Sequence, residues 1–180
     1  MLHYCLIATA FGPVGLAWSG TGVVRAQLPG ADSAETAELL VAGFEAEEAD
    51  PPAWLDATVQ KLQRYFAGEI EDFSGTPLDL EGVPELNRTL YLEMLKLAWG
   101  ETVTYGELGA RVGAPGIAQA VGQAMGNNPI PIIIPCHRVL AAGNKIGGFS
   151  APGGRRTKLR MLEMEGVFLG GHRDQLAFTF

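Results

Sequence analysis

Apolar positions in the first third of the chain come in short runs. Residues 4–10, 14–18 and 23–28 are apolar or β-branched, separated by Gly12-Pro13 and Gly20-Thr21-Gly22. Runs of this length with turn residues between them predict a three-stranded meander. Residues 33–44 then read as a helix. Leu55, Val59, Leu62 and Phe66 recur at i, i+4, i+7 and i+11, the spacing of one helical face. Residues 68–85 hold Gly68, Gly75, Pro77, Gly82 and Pro84, which predict a polar linker. A boundary there divides the chain into an α/β domain over 1–85 and a mainly helical one over 86–180.

In the second half Leu86, Leu90, Met94 and Leu97 form one apolar stripe. Thr104 with Glu107 three residues on has the form of a capping box, opening a short helix with Leu108 and Val112 inward. Gly113-Ala114-Pro115-Gly116 is a tight turn, and residues 117–125 make a second short helix. Two short helices around such a turn are a helix-turn-helix candidate, although many helical hairpins bind nothing. The second helix carries Ile117, Val121 and Met125 on one stripe. Beside it runs a stripe of Ala118, Gly122 and Gly126, flanked by Gln119 and Gln123. Small residues weaken a helix, so that face needs a reason. Close packing on another helix is one. Entry into the minor groove, about 6 Å wide, is the other.

The chemistry lies just beyond. Residues 131–137 read PIIIPCH, three Ile between two Pro, and predict a short buried strand that Pro135 stops. Cys136 follows at once. A cysteine at the end of a rigid strand is placed as a nucleophile is, whereas a lone cysteine is more often simply buried. His137 and Arg138 directly after an apolar run favour a site. A thiol with a pKa near 8.5 is only a few per cent ionised at pH 7, and a basic His raises that fraction. Such a His needs an orienting partner. Glu165 is the candidate, because on a helix it lies about 60° from the inward Leu162 and Glu163 about 100° away. A role as an unpaired rim residue stays open for it. Residues 143–154, GNKIGGFSAPGG, form a loop of exposed backbone with Phe149 and Ser150. A flat apolar ligand fits it, and the spacing matches neither common phosphate-binding loop.

Composition limits the classes available. The 180 residues are 47% apolar, enough for a packed core. No apolar run reaches the roughly 18 residues of a membrane span. The start has no Lys or Arg before its apolar stretch and is broken at Gly12 and Pro13, which argues against a signal peptide. Two cysteines, Cys5 and Cys136, make no disulfide framework, so a reduced, cytoplasmic protein is expected. The net charge of −7 is uneven. Residues 1–85 hold fourteen acids and three bases, while residues 86–180 hold six acids and ten bases. From Arg138 to Arg160 there are six bases and no acid, a surface on which a polyanion can dock.

Residues 104–150, TYGELGARVGAPGIAQAVGQAMGNNPIPIIIPCHRVLAAGNKIGGFS, resemble the active domain of the O6-alkylguanine-DNA alkyltransferases, with PCHRV at 135–139 as the hallmark. The resemblance is strong over 86–166 and weaker over 1–85. It implies a ribonuclease-H-like α/β domain, a short antiparallel sheet plus helices, followed by a mainly α domain with a helix-turn-helix. It also implies a role for each residue. Cys136 takes the alkyl group from O6 of a flipped-out guanine in double-stranded DNA and keeps it as a thioether, so each molecule acts once. His137 takes the thiol proton through a water, and Glu165 orients His137. Tyr105 helps push out the nucleotide and donates to the leaving guanine. Asn128 fixes the turn before the active-site strand. Val139, Phe149 and Ser150 hold the base, with Met125 and Pro131 on the pocket wall. Ala118, Gln119, Gly122, Gln123 and Arg138 meet DNA. Gln119 stands where the family usually has Arg, and Phe149 where Tyr is common. No metal and no cofactor are expected, nor a membrane, and the protein is expected to be a monomer. Two other readings stay open at this point: a lesion-binding protein without transfer, and an unrelated Cys–His hydrolase.

Overall fold

The computed structural model describes residues 1–169, so the end of the second expected domain, 170–180, lies outside the described residues. The meander forms as expected. β1 (Leu2–Thr9), β2 (Gly12–Trp18) and β3 (Val23–Gln27) pair antiparallel in sequence order. Gly12, at φ +114°, closes the first hairpin, with Thr9 opposite it. A fourth strand, β4 (Ala46–Glu48), adds parallel to β1 and gives the order β3-β2-β1-β4. Three residues, two of them Glu, carry no period-2 signal, so the sequence does not announce β4.

Two helices follow from the predicted patterns. α1 (Ser33–Val41) starts at Asp32, whose carboxylate accepts the Glu35 amide at 2.9 Å. It crosses the sheet closely at Gly15, where an added Cβ would lie 2.9 Å from a Leu40 methyl. α2 (Asp56–Phe66) buries Leu62, Tyr65 and Phe66, with Leu55 buried just before it. The segment expected as a polar linker is not a free tether. The Val23 amide donates to the Pro77 carbonyl and the Asp79 amide to the Val23 carbonyl, both at 2.9 Å. Phe73 and Leu80 from this segment are buried.

The second half builds the site. α3 (Glu85–Met94) buries Leu90, Tyr91 and Met94 but leaves Leu86 exposed. α4 (Tyr105–Arg111) opens on the full Thr104–Glu107 capping box. α5 (Ala118–Gly126) buries Val121, Ala124 and Met125. The two pack tightly, since a Cβ on Gly109 would lie 3.0 Å from Ile117 and 3.1 Å from the Ala114 carbonyl. β5 (Val103–Thr104) pairs parallel with β6 (Val139–Leu140), so the chain entering α4 is tied to the chain leaving Cys136. α6 (Arg155–Met164) completes the described fold. One apolar core runs through both halves and holds Leu16, Phe66, Tyr91, Ile133 and Cys136 together.

The strand expected over 131–137 is absent. Ile132, Ile133 and Ile134 are buried, but Ile132 sits at φ +77° and the Ile134 amide donates back to the Ile130 carbonyl at 2.9 Å. This is a tight buried turn. Burial of an apolar run does not distinguish a strand from a turn, and prolines at both ends remove the donors a ladder needs. Asn128 supplies the missing bonds. Its Nδ2 donates to the Ile134 carbonyl at 2.8 Å, and its Oδ1 accepts the Ile130 amide at 3.0 Å.

Candidate active site

Cys136, His137 and Arg138 form one 3₁₀ turn immediately after the buried isoleucines. Rigid packing on one side and Asn128 on the other fix where that turn emerges. The Cys136 side chain is 5% exposed and lies on the wall of a cavity of about 580 Å³. That volume suits a small-molecule group. Met125, Asn128, Pro131, Phe149 and Ser150, all expected there, line the same cavity. Arg25, Gln27, Glu35 and Leu39 line it from the first half, and nothing in the sequence pattern points to them. Val139 and Tyr105 are not on its wall. Val139 is buried, and its carbonyl accepts the Lys158 ammonium at 2.7 Å. Ser150 donates to the Gly126 carbonyl at 3.2 Å, tying the glycine-rich loop to the end of α5.

His137 is fully buried. Its Nε2 lies 2.7 Å from Glu165 Oε1, which sets the hydrogen on Nε2, because two lone pairs cannot face each other at that distance. Nδ1 is therefore the basic atom. It is buried and has no hydrogen-bond partner among the described residues. Burial lowers the His137 pKa, with Arg138 and Lys158 acting the same way against Glu165, so the ring is neutral near pH 7. For Glu165 burial pushes the carboxyl up, but hydrogen bonds and charge from His137 and Arg138 overcome it and hold the group well below the carboxylate range. Burial pushes the Cys136 thiol up, while Asn128, Lys158 and the Cys136 and His137 amides pull it down. The net shift is upward, so the resting group is a thiol beside a neutral base.

Glu165 gathers five donors. Tyr65 Oη at 2.8 Å, His137 Nε2 and Arg138 Nη2 at 3.0 Å reach Oε1, while Arg138 Nε at 2.8 Å and the Gly100 amide at 3.3 Å reach Oε2. Glu165 is the C-cap residue of α6, its backbone amide donating to the Met161 carbonyl at 3.1 Å. Arg138 also donates through Nη1 to the Leu97 carbonyl at 2.6 Å. This corrects one expectation. The sequence predicts Arg138 among the DNA-facing residues, but it is 5% exposed and its guanidinium is spent on Glu165 and Leu97. Lys158, a second base of the acid-free window, is 1% exposed, and burial lowers its pKa to about 8. Basic residues read as surface unless a partner is known, and here the partners lie far off in sequence.

The helical pair presents what the small-residue stripe predicted. Ala118, Gln119 and Gln123 are exposed and Gly122 is half-buried, with the Tyr105 ring 3.8 Å from where its Cβ would be. Tyr105 packs across to the loop at Gly147, where a Cβ would come within 2.6 Å of its hydroxyl.

The class of protein is thereby set: two fused parts sharing one core, with Cys136 on the wall of a cavity between them and, at the next residue in the chain, a buried His137 paired with Glu165. Residues 2–80 match the 6-O-methylguanine DNA methyltransferase ribonuclease-like domain, and residues 85–167 match the DNA-binding domain of the same proteins. The methylated-DNA--protein-cysteine methyltransferase of Mycobacterium tuberculosis (strain H37Rv) is 39% identical over 169 residues, covering 92% of this chain and 93% of its own. That of Mycobacterium leprae is 40% identical over 165 residues, with the same coverage. The crystal structure of Mycobacterium tuberculosis OGT in complex with DNA superposes with a TM-score of 0.73 at 37% identity, over 91% of this chain and 92% of the other. The chain belongs to the 6-O-methylguanine DNA methyltransferase family.

Proposed function

We propose that the protein repairs alkylated double-stranded DNA by moving an alkyl group from O6 of guanine to Cys136. The observation that carries the reading is the Cys136 thiol on the cavity wall, next to a His137 whose Nδ1 is buried and free while Glu165 holds its Nε2. The thiol proton passes to Nδ1 through one water. The sulfur then attacks the alkyl carbon, the S–C bond forms, and the C–O6 bond breaks with its electron pair left on O6. The guanine departs neutral after taking a proton on its ring, which we assign to the Tyr105 hydroxyl, a group off the cavity wall that must turn in from Gly147 to deliver it. A thioether has no route back to a thiol, so one molecule performs one transfer.

The target must leave the stack to reach the cavity, at a cost of a few kcal/mol that is least for a badly paired, damaged base. α4 and α5 act as a helix-turn-helix. The bare face of α5, Ala118 and Gly122 with Gln119 and Gln123 beside it, presses into the minor groove. Gln119, short and uncharged, hydrogen-bonds the orphaned base in place of a cation. Lys145, Arg155 and Arg156, all exposed, supply phosphate contacts. The two free cysteines fit a reducing compartment, and no described helix is long and apolar enough to cross a membrane.

Intact-protein mass after incubation with a duplex containing O6-methylguanine tests this. The reading expects a gain of one methyl group, saturating at one per chain. An unchanged mass with tight binding would point to lesion recognition without transfer, and many turnovers per chain to a hydrolase.

A further inference from the structure

The first half of the chain reaches the relay through one side chain. Tyr65, on α2, is fully buried, a hundred residues from Glu165 in sequence. Its ring sits edge-on to Phe66, Phe73, Trp99 and His137, with centroids at 5.1, 5.9, 5.5 and 6.3 Å. Phenylalanine would fill that aromatic box equally well. The hydroxyl is the one polar atom Tyr65 brings into it, and burying a hydroxyl without a partner is unfavourable. It donates to Glu165 Oε1 at 2.8 Å and stands 3.2 Å from His137 Nε2.

The proton inventory decides what it does. A tyrosine hydroxyl has one hydrogen, and burial beside Glu165 keeps it on the oxygen. Nε2 of His137 already donates to Glu165 and cannot accept. The Tyr65 hydrogen therefore goes to Glu165. Oε1 then receives Tyr65, His137 and Arg138 together, with no freedom to turn. The charged and titratable groups around the pair are Tyr65 from α2, Arg138 and Cys136 from the 3₁₀ turn, and Lys158 from α6.

We infer that Tyr65 is a positioning residue for the His137–Glu165 pair, so that the relay is completed by the first half of the chain. This rests on the functional reading above. Loss of the hydroxyl frees one lone pair of Oε1, loosens the carboxylate and leaves more of its charge for His137. His137 then holds its proton to higher pH, and the base is less precisely aimed at the thiol.

The test is Tyr65→Phe, which keeps the ring, in the full-length protein. Two reactions are followed against pH: methyl transfer from an O6-methylguanine duplex, and alkylation of Cys136 by iodoacetamide read by peptide mass. Tyr91→Phe gives the baseline, because it also removes a buried hydroxyl, one that donates to the Ala124 carbonyl at 2.8 Å. The inference expects Tyr65→Phe to slow both reactions about tenfold, the factor one hydrogen bond to a charged group carries, with the acid limb moved to higher pH. Tyr91→Phe should keep the native acid limb. Native rates and limb in Tyr65→Phe overturn the inference, and so does a loss that leaves the limb where Tyr91→Phe leaves it. A native protein that ignores methylated DNA, while Tyr65→Phe still moves the iodoacetamide profile, overturns the functional reading and supports the role of Tyr65.

Discussion

Arg138 sits beside the nucleophile, yet the structure makes it part of the framework that holds Glu165. Arg138→Met separates that role from phosphate contact. The substitution keeps an apolar stem of similar length and removes three hydrogen bonds, two to Glu165 and one to the Leu97 carbonyl. It leaves a buried carboxylate without its bidentate cation. Removing one partner of a buried pair costs about 3–5 kcal/mol. For a chain of this size each kcal/mol is worth about 2–4 °C, so the melting temperature should fall by about 6–20 °C. Urea and thermal unfolding at neutral pH measure it directly, with Arg156→Met, an exposed residue, expected within about 0.5 kcal/mol of native. The competing view makes Arg138 a phosphate contact. On that view Arg138→Met keeps native stability and flattens the salt dependence of DNA affinity by about 0.9 in log–log slope. That pair of results would refute the reasoning.

Acidification should destabilise the fold in a defined order. Burial keeps His137 neutral below its ordinary 6.5, so the unfolded chain binds the proton first and stability falls as pH drops from there, by up to about 1.4 kcal/mol per pH unit. Glu165, held below its ordinary 4.5, adds a loss of the same sign only at lower pH. Urea unfolding between about pH 7 and pH 5 should therefore be flatter for His137→Gln than for native protein, and an equally steep dependence contradicts the assignment. Gln119→Arg, on the exposed face of α5, should strengthen binding to any duplex and steepen its salt dependence by about 0.9. Unchanged affinity would show that this position does not meet DNA.

The parts legible in the sequence are those whose signal is local. The meander, the capping box at Thr104 and the small-residue face of α5 follow from spacing within a few residues. Cys136 and His137 stand together, and Glu165 could be singled out because a carboxylate near the buried face of a helix wants a partner. What stayed hidden depends on distant pairing. Tyr65 falls on the buried face of α2, but periodicity says only that it faces inward. The pairing of Arg138 with Glu165, and of Lys158 with the Val139 carbonyl, turns basic residues from surface into core, and no pattern of charge along the chain encodes that. The run at 132–134 was apolar enough for a strand, and only the hydrogen bonds of Asn128 make a turn of it.

Peptide mapping after reaction with a stoichiometric O6-methylguanine duplex tests the central claim most directly. The methyl group should appear on Cys136, once per chain, with none on Cys5 and none anywhere in Cys136→Ala. Methyl loss from the DNA that continues in Cys136→Ala, or a native Cys136 peptide of unchanged mass after the lesion has gone, would contradict the account.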